Sequence, residues 1–168
     1  MLIIVVIGLI IVALMVYTST RIKRVSAAAY EPETIETDGF GIGKPAGFLS
    51  VVDPKPPYSF QAYSKDFGTD EAENIHLATA NVMISDASLD ETVSAFGASG
   101  SELREVIDNV HYRVLELKTE EKGIDFVELV KLAERDGKVY TFTIKAIAET
   151  TDEFRRDIES MLDSFELK

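Results

Sequence analysis

The chain has 168 residues, no cysteine, and 29 acidic against 17 basic side chains. Three of the basic residues and none of the acidic ones lie before residue 25, so residues 25–168 carry 14 basic and 29 acidic side chains, a net charge of −15. This balance excludes binding to the phosphate backbone of a nucleic acid, which requires a basic stripe. The length allows one domain whose core needs neither disulfide nor metal.

The first twenty residues contain no charged side chain. Twenty helical residues span roughly 30 Å, the thickness of the hydrocarbon layer of a bilayer. Tyr17 has the position of an interfacial aromatic residue, and Arg21, Lys23 and Arg24 follow at the level of the lipid headgroups. We therefore predict a single transmembrane helix over residues 1–20, with the bilayer as a partner of the chain.

Two questions about this segment stay open. The small residues at 26–29 fit a signal-peptidase site, but no basic residue precedes the apolar run and three follow it, which favours an uncleaved anchor. Positive charge on the C-terminal flank predicts that the domain stays in the cytoplasm, against one competing charge from the α-amino group.

The next elements are a tether and then strands. Residues 21–37 lack periodicity and are predicted to be a basic flank and tether, so the folded domain is predicted to span residues 38–168. Alternation of glycine with larger residues predicts a first strand that ends at Pro45. Period-two patterns predict further strands at 59–65 and 74–85.

Helix signals follow in the middle of the chain. Capping-box patterns at Ser88–Glu91 and Ser99–Glu102 predict a broken pair of short helices over residues 88–109. Three strands are then predicted at 111–118, 124–134 and 138–147, and the Asp-Gly pair before the last one indicates a tight hairpin.

The last element is predicted to be an amphipathic helix that begins after a capping box at residues 150–153. Its apolar face covers the sheet and consists of Phe154, Ile158, Met161, Leu162 and Phe165. The fold class predicted from these elements is α+β, with an antiparallel sheet flanked by helices.

Three short segments resemble the PsbP/Mog1-like family. Residues 39–48 read GFGIGKPAGF, residues 139–143 read VYTFT, and Ser164-Phe165 lies near the C-terminus. They are similar to that family's early Phe-Gly-Ile strand with its Pro-x-Gly-Phe turn, its late Tyr-x-Phe-Thr strand and its closing Ser-Phe. The resemblance covers residues 38–168 and implies an αβα sandwich.

The resemblance also implies a class of function. Family members include lumenal photosystem II subunits, a nuclear small-GTPase binder and envelope lipoproteins, which bind or assemble other proteins. The lipid-bearing cysteine of the lipoproteins is missing here, so the predicted helix would replace the lipid. The resemblance implies an extracytoplasmic domain, whereas the flanking charges predict a cytoplasmic one, and both locations remain open.

Residue patterns that carry catalysis are not found. The glycines before Lys44 depart from a phosphate loop at two positions, and the sequence contains neither a nucleophile elbow nor a calcium loop. We predict no catalytic residue, metal or cofactor. The weak candidates for a pocket between sheet and helices are two histidines and four aromatic residues: His76, His111, Tyr112, Phe126, Tyr140 and Phe142.

The sequence thus predicts a membrane-anchored, non-enzymatic interaction or assembly domain that acts on a protein complex at the bilayer surface. The alternative is a small-ligand-binding or hydrolytic domain that uses the pocket formed by those six residues.

Overall fold

The structure is a computed structural model that describes residues 15–17, 28–68, 75–97 and 101–168, without the side chains of 101 and 102. The bounds of its strands and helices are β1 Glu33–Glu36, β2 Phe40–Lys44, β3 Phe48–Ser50, β4 Tyr58–Ser64, β5 Ala78–Ser85, α1 Leu89–Ala95, β6 Ser101–Ile107, β7 Val110–Glu121, β8 Ile124–Arg135, β9 Lys138–Ile147, α2 Asp152–Asp163 and β10 Glu166–Leu167.

The strands form two antiparallel sheets. The large sheet has seven strands in the order β3-β4-β5-β9-β8-β7-β6, and the small one has three in the order β1-β2-β10. Strands β7, β8 and β9 form a continuous meander whose turns are Lys122-Gly123 and Asp136-Gly137. All four turn residues have positive φ, which matches the twist of a two-residue hairpin.

The two helices pack on opposite faces of the large sheet. Ile158 and Met161 of α2 belong to the main core together with Leu129 of β8. The neighbouring residue Val130 belongs to a smaller cluster that is covered by Leu89, Val93 and Phe96 of α1. Because successive side chains of a strand point to opposite faces, α2 lies on what we call the inner face and α1 on the outer face.

The C-terminal helix confirms the predicted amphipathic pattern. The side chain of Thr151 caps α2 by accepting a hydrogen bond from the backbone N–H of Phe154. Ile158, Met161, Leu162 and the following Phe165 are all buried. The α+β class and the antiparallel sheet flanked by helices are therefore as predicted, with more strand and less helix.

The second predicted helix of the 88–109 pair is wrong. Residues Ser101–Ile107 form β6, which pairs with β7 through the turn at Asp108 and Asn109. Both turn residues have positive φ, the geometry of a tight hairpin. The local capping signal is therefore overridden by the seven-residue pairing with β7.

The predicted tether also contains a strand. Residues Glu33–Glu36 pair with β2, so the sheet structure begins before the predicted boundary at residue 38. This pairing is a short hairpin with the next strand, and the sequence of Glu33–Glu36 itself shows little alternation.

The predicted transmembrane helix lies outside the described residues except for Met15–Tyr17, which are helical. Within the ranges given above, no helix is long and apolar enough to cross a bilayer.

Candidate functional site

Strand β6 forms one edge of the large sheet and exposes apolar side chains. Leu103 is 64% exposed and Val106 is 61% exposed. Their positions differ by an odd number, so they project from opposite faces of the strand. In the described part of the chain, β6 pairs with β7 on one side and with no strand on the other. An edge strand is the position at which a further strand can be added to a sheet.

Two carboxylates lie near Leu103 on the inner face of this edge, and each is close to a cation. Leu103 lies opposite Val114 of β7, and Glu105 and Glu116 lie on the same face. Each of these two carboxylate side chains is 40% exposed. Glu116 lies 3.8 Å from Arg155 of α2, and Glu105 lies 4.0 Å from the buried ammonium of Lys131.

A cleft lies at the other end of the sheet, beside the β7–β8 turn. One part has a volume of about 610 Å³ and is lined by apolar Phe67, Leu77, Ile124 and Ile147 with Asp125 and Glu149 at its polar side. A second part of about 250 Å³ adjoins it at Lys122 and contains His76, Phe126 and Lys145. The first volume is within the range of ligand pockets.

His76 is held by stacking and one hydrogen bond. Its ring lies between those of Tyr63 and Phe67, with both centroids at 4.5 Å. Its Nδ1 lies 2.6 Å from the backbone oxygen of Ser64, which fixes Nδ1 as the donor because a carbonyl oxygen only accepts. Nε2 is the remaining nitrogen of the ring.

Lys145 lies at the centre of the charged groups in this region. Its ammonium donates to Glu121 at 2.6 Å and sits 4.5 Å from the centroid of the Phe126 ring. Glu128 faces it from the adjacent strand β8. Burial raises the pKa of the Glu128 carboxyl, and Lys145 partly opposes that shift. The hydrogen bond and charge of Lys145 lower the pKa of Glu121.

The side chains of this cleft are better suited to binding a ligand than to catalysing a reaction. The cleft offers one imidazole, one carboxyl of raised pKa and a cation that is already paired. Among residues 28–68, 75–97 and 101–168, no group of His, Asp and Glu side chains could hold a metal ion. No described serine or threonine is hydrogen-bonded to His76 as an activated nucleophile would be.

The six pocket candidates are only partly brought together. His76 and Phe126 share the smaller part of the cleft. Phe142 is fully buried on the inner face, and Tyr112 is buried there with its hydroxyl accepting a hydrogen bond from the backbone N–H of Leu167. These two serve the core.

The other two candidates lie far from the cleft. The ring of Tyr140 contacts Phe40 edge to face, at a centroid distance of 6.5 Å. His111 is exposed on the outer face of β7, opposite Val106 of β6. It follows a hairpin turn, whereas the sequence predicts a helix end before it. Of the predicted membrane-interface residues, Tyr17 is exposed, and Arg21, Lys23 and Arg24 lie outside the described residues.

Two buried lysines stabilise chain segments that sequence reasoning did not connect to them. Lys44 is 2% exposed, and its ammonium donates to the backbone oxygens of Glu31 at 2.7 Å, Phe48 at 2.8 Å and Ala29 at 3.4 Å. Burial lowers its pKa, and the charge of Glu33 opposes this. The segment that enters the domain is thus fixed to the start of β3.

Lys131 likewise fixes the C-terminal part of the chain to the large sheet. It is 1% exposed and donates to the backbone oxygen of Asp163 at the end of α2, at 3.0 Å. Its ammonium also lies 4.8 Å from the centroid of the Tyr112 ring. Burial lowers its pKa, and Glu105 is the main opposing charge.

Sequence reasoning missed Lys145, Glu128 and the exposed pair on β6. The first two follow from the register of β8 and β9, which places them opposite each other across the outer face. The hairpin that creates the β6 edge depends on the Asp108-Asn109 turn, and that dipeptide was the available signal.

The comparisons with known proteins give the fold. No protein-family model matches the sequence, and comparison with curated proteins finds no match. The solution structure of cyanobacterial PsbP, CyanoP, from Synechocystis sp. PCC 6803 is similar, with a TM-score of 0.53 and 16% identity over 82% of this chain and 92% of that one.

Two crystal structures are also similar. LpqN, involved in cell envelope biogenesis of Mycobacterium tuberculosis, aligns with a TM-score of 0.56 and 8% identity over 82% of this chain and 91% of that one. A protein from Bacteroides thetaiotaomicron VPI-5482 aligns with a TM-score of 0.52 and 7% identity over 77% of this chain. This chain spans 45% of the length of the Bacteroides protein.

The chain has a PsbP/Mog1-like fold, as the sequence patterns predict. Identities of 7 to 16% show the architecture alone.

Proposed function

We propose that this chain is a membrane-anchored interaction or assembly domain that binds a protein partner through strand β6. The observation that carries the proposal is the pair of exposed apolar side chains, Leu103 and Val106, on the edge strand of an otherwise acidic domain. An exposed sheet edge with apolar side chains binds extended segments by strand addition. The uncharged first twenty residues would hold the domain at the bilayer.

Capture from detergent-solubilised membranes tests the proposal. Three tagged full-length chains are compared: the wild type, the double variant Leu103→Asp with Val106→Asp, and the control Val52→Asp. Val52 is fully exposed in the loop after β3, at the opposite edge of the large sheet from β6. The control therefore adds charge at an exposed apolar position that is far from β6.

We expect the wild type and Val52→Asp to retain a reproducible partner and the double variant to lose it. Circular dichroism verifies that all three chains are folded. Retention of the partner by the double variant would show that β6 is not the binding edge, and the absence of any partner from the wild type would refute an interaction role.

A second candidate function rests on the cleft. Its larger part has a suitable volume for a small ligand, and the smaller part contains His76, Phe126 and the Lys145–Glu121 pair. This supports the small-ligand alternative over a hydrolytic one, because no activated nucleophile is among the described residues. A ligand-induced thermal shift that His76→Ala abolishes and His111→Ala preserves would favour it.

A further inference from the structure

The entry point of the chain lies at one corner of the large sheet. Lys44 binds the carbonyls of Ala29 and Glu31, and the backbone N–H of Gly47 donates to Tyr30 at 2.8 Å. Lys65, which follows β4, sits 5.9 Å from the centroid of the Tyr30 ring. The corner where β3 begins and β4 ends is therefore the point at which the segment after the predicted anchor is fixed.

The β6 hairpin lies at the diagonally opposite corner. Strand β6 is six positions from β3 in the sheet order, which corresponds to roughly 29 Å at the usual spacing of strands. Following the paired residues from strand to strand leads from Tyr63 of β4 to Leu117 of β7, so these two residues lie at the same height along their strands. His111, the partner of Val106, lies six residues earlier along β7, or roughly 20 Å, so the diagonal is about 35 Å.

The covalent link to the predicted anchor limits how far the entry corner can lie from the bilayer. Thr20 and Ala29 are nine positions apart, and even a fully extended chain spans at most roughly 32 Å over that stretch. The entry corner is therefore confined to a layer near the bilayer, and the β6 corner can extend beyond that layer by the length of the diagonal.

Charge decides which partner fits the distal corner. Two copies of a domain with a net charge of −15 repel each other, which disfavours pairing of β6 with β6 of a second copy. Glu105 and Glu116 on the Leu103 face each lie within 4.0 Å of a cation of this domain and are still 40% exposed. An extended segment with apolar and basic residues complements the apolar Leu103 side chain and the net charge of −15 on the domain.

We propose that the domain stands with its β3–β4 corner toward the bilayer and its β6 hairpin away from it, where it takes up an extended, basic and apolar segment from the water-exposed part of a partner protein. This inference rests on the proposed function, because it assumes the membrane anchor. It adds which corner faces the lipid and which chemical class of partner segment is bound.

Energy transfer from labelled sites to the membrane tests the orientation. The chain contains no cysteine, so single-cysteine variants at Asp66, Val52 and Val106 can each be labelled with a donor dye. The full chain is reconstituted into phosphatidylcholine and phosphatidylglycerol vesicles whose headgroups carry an acceptor dye. Asp66 marks the entry corner, and Val106 marks the distal corner. Val52 lies at the same edge of the sheet as Asp66 but near the other end of the strands.

We expect transfer to decrease in the order 66, 52, 106, with at least about twofold higher efficiency at 66 than at 106 because of the separation across the sheet. Equal or reversed efficiencies in vesicle-bound chain would overturn the orientation. Flotation of the vesicles is measured first, and a chain that does not float with them would instead refute the membrane anchor of the proposed function.

Photo-crosslinking tests the partner segment. A photoreactive amino acid replaces Leu103 in one chain and Val52 in the control, and adducts formed in native membranes are mapped by mass spectrometry. An adduct specific to position 103, on a basic segment outside the partner's apolar spans, is expected. An adduct on a transmembrane span, on a second copy of this chain, or no adduct specific to position 103, would overturn the assignment.

Discussion

Individual buried charges in this domain are satisfied by backbone groups. Lys44 and Lys131 each donate to carbonyl oxygens of segments distant in sequence, and both ammonium groups are almost fully buried. A buried cation is tolerated only when its donors find acceptors. The two lysines therefore act as fixed connections between the ends of the folded chain and the large sheet.

Glu128 differs from them, since its carboxyl is half-buried and opposite Lys145. Burial raises its pKa in the folded state above the ordinary value of 4.5. The folded state then binds the proton more tightly than the unfolded state, so the stability contributed by this group is present at low pH. It is lost as the pH rises above 4.5 and through the folded-state pKa.

We expect Glu128→Gln to raise the free energy of unfolding near pH 7 and to have little effect near pH 4. Glutamine keeps the shape of the side chain and removes the charge that burial disfavours, while Lys145 retains its contact with Glu121. Urea unfolding of the full chain in detergent, followed by circular dichroism at several pH values, measures this difference.

Glu134→Gln is the matched control, because Glu134 lies on the same face of β8 and is exposed. The prediction fails if the two variants show the same pH dependence relative to the wild type.

At the scale of elements, hairpin turns determined more of the fold than helix signals did. The Asp136-Gly137 pair correctly predicts the β8–β9 hairpin, and both residues have positive φ. The Ser88 capping box correctly predicts α1, with the Ser88 hydroxyl and the Glu91 carboxylate bonded to each other's backbone N–H. The equivalent signal at Ser99 fails, because residues 101–107 gain a complete ladder with β7.

We expect Gly137→Ala to lower the free energy of unfolding by about 1 kcal/mol, because its φ of 72° is strained for a residue with a Cβ. No atom lies within 4 Å of the added methyl group, so the cost arises from the backbone conformation. Denaturant unfolding of both forms gives the difference.

Gly41→Ala in β2 is the control, since its φ is not positive and the added Cβ meets only the flexible Glu36 side chain, at 3.5 Å. A cost at Gly41 equal to that at Gly137 would contradict the role assigned to the turn.

At the scale of the whole molecule, two charge patterns act at different places. The net charge of −15 on residues 25–168 disfavours contact with nucleic acid. Under the membrane anchor that we propose, the three basic residues after the apolar run bias the side of the membrane on which the domain lies.

From that bias we expect a C-terminal tag to be protected from external protease in intact cells or spheroplasts and digested after permeabilisation. The mass of the mature chain, measured in the same samples, shows whether residues 1–20 are retained. Digestion of the tag without permeabilisation would place the domain outside the cytoplasm, the location implied by the family resemblance.

Local sequence alone determined several parts of this protein. It predicted the β8–β9 hairpin, the first capped helix and the C-terminal amphipathic helix. Each of these depends on residues close together in the chain: turn dipeptides, caps, and apolar side chains at period two or 3.6. The PsbP/Mog1-like fold was implied by the resemblance of three short segments to that family.

The tertiary structure decided the rest. Hairpin pairing with the next strand along the chain made strands of residues 101–107 and Glu33–Glu36. Sheet register brought Lys145 to Glu128 and separated the six pocket candidates, leaving only His76 and Phe126 together among them. Packing placed Lys44 and Lys131 inside the domain. These outcomes depend on which segments become neighbours in space, and the pattern within a single segment does not contain that information because strand pairing overrides it.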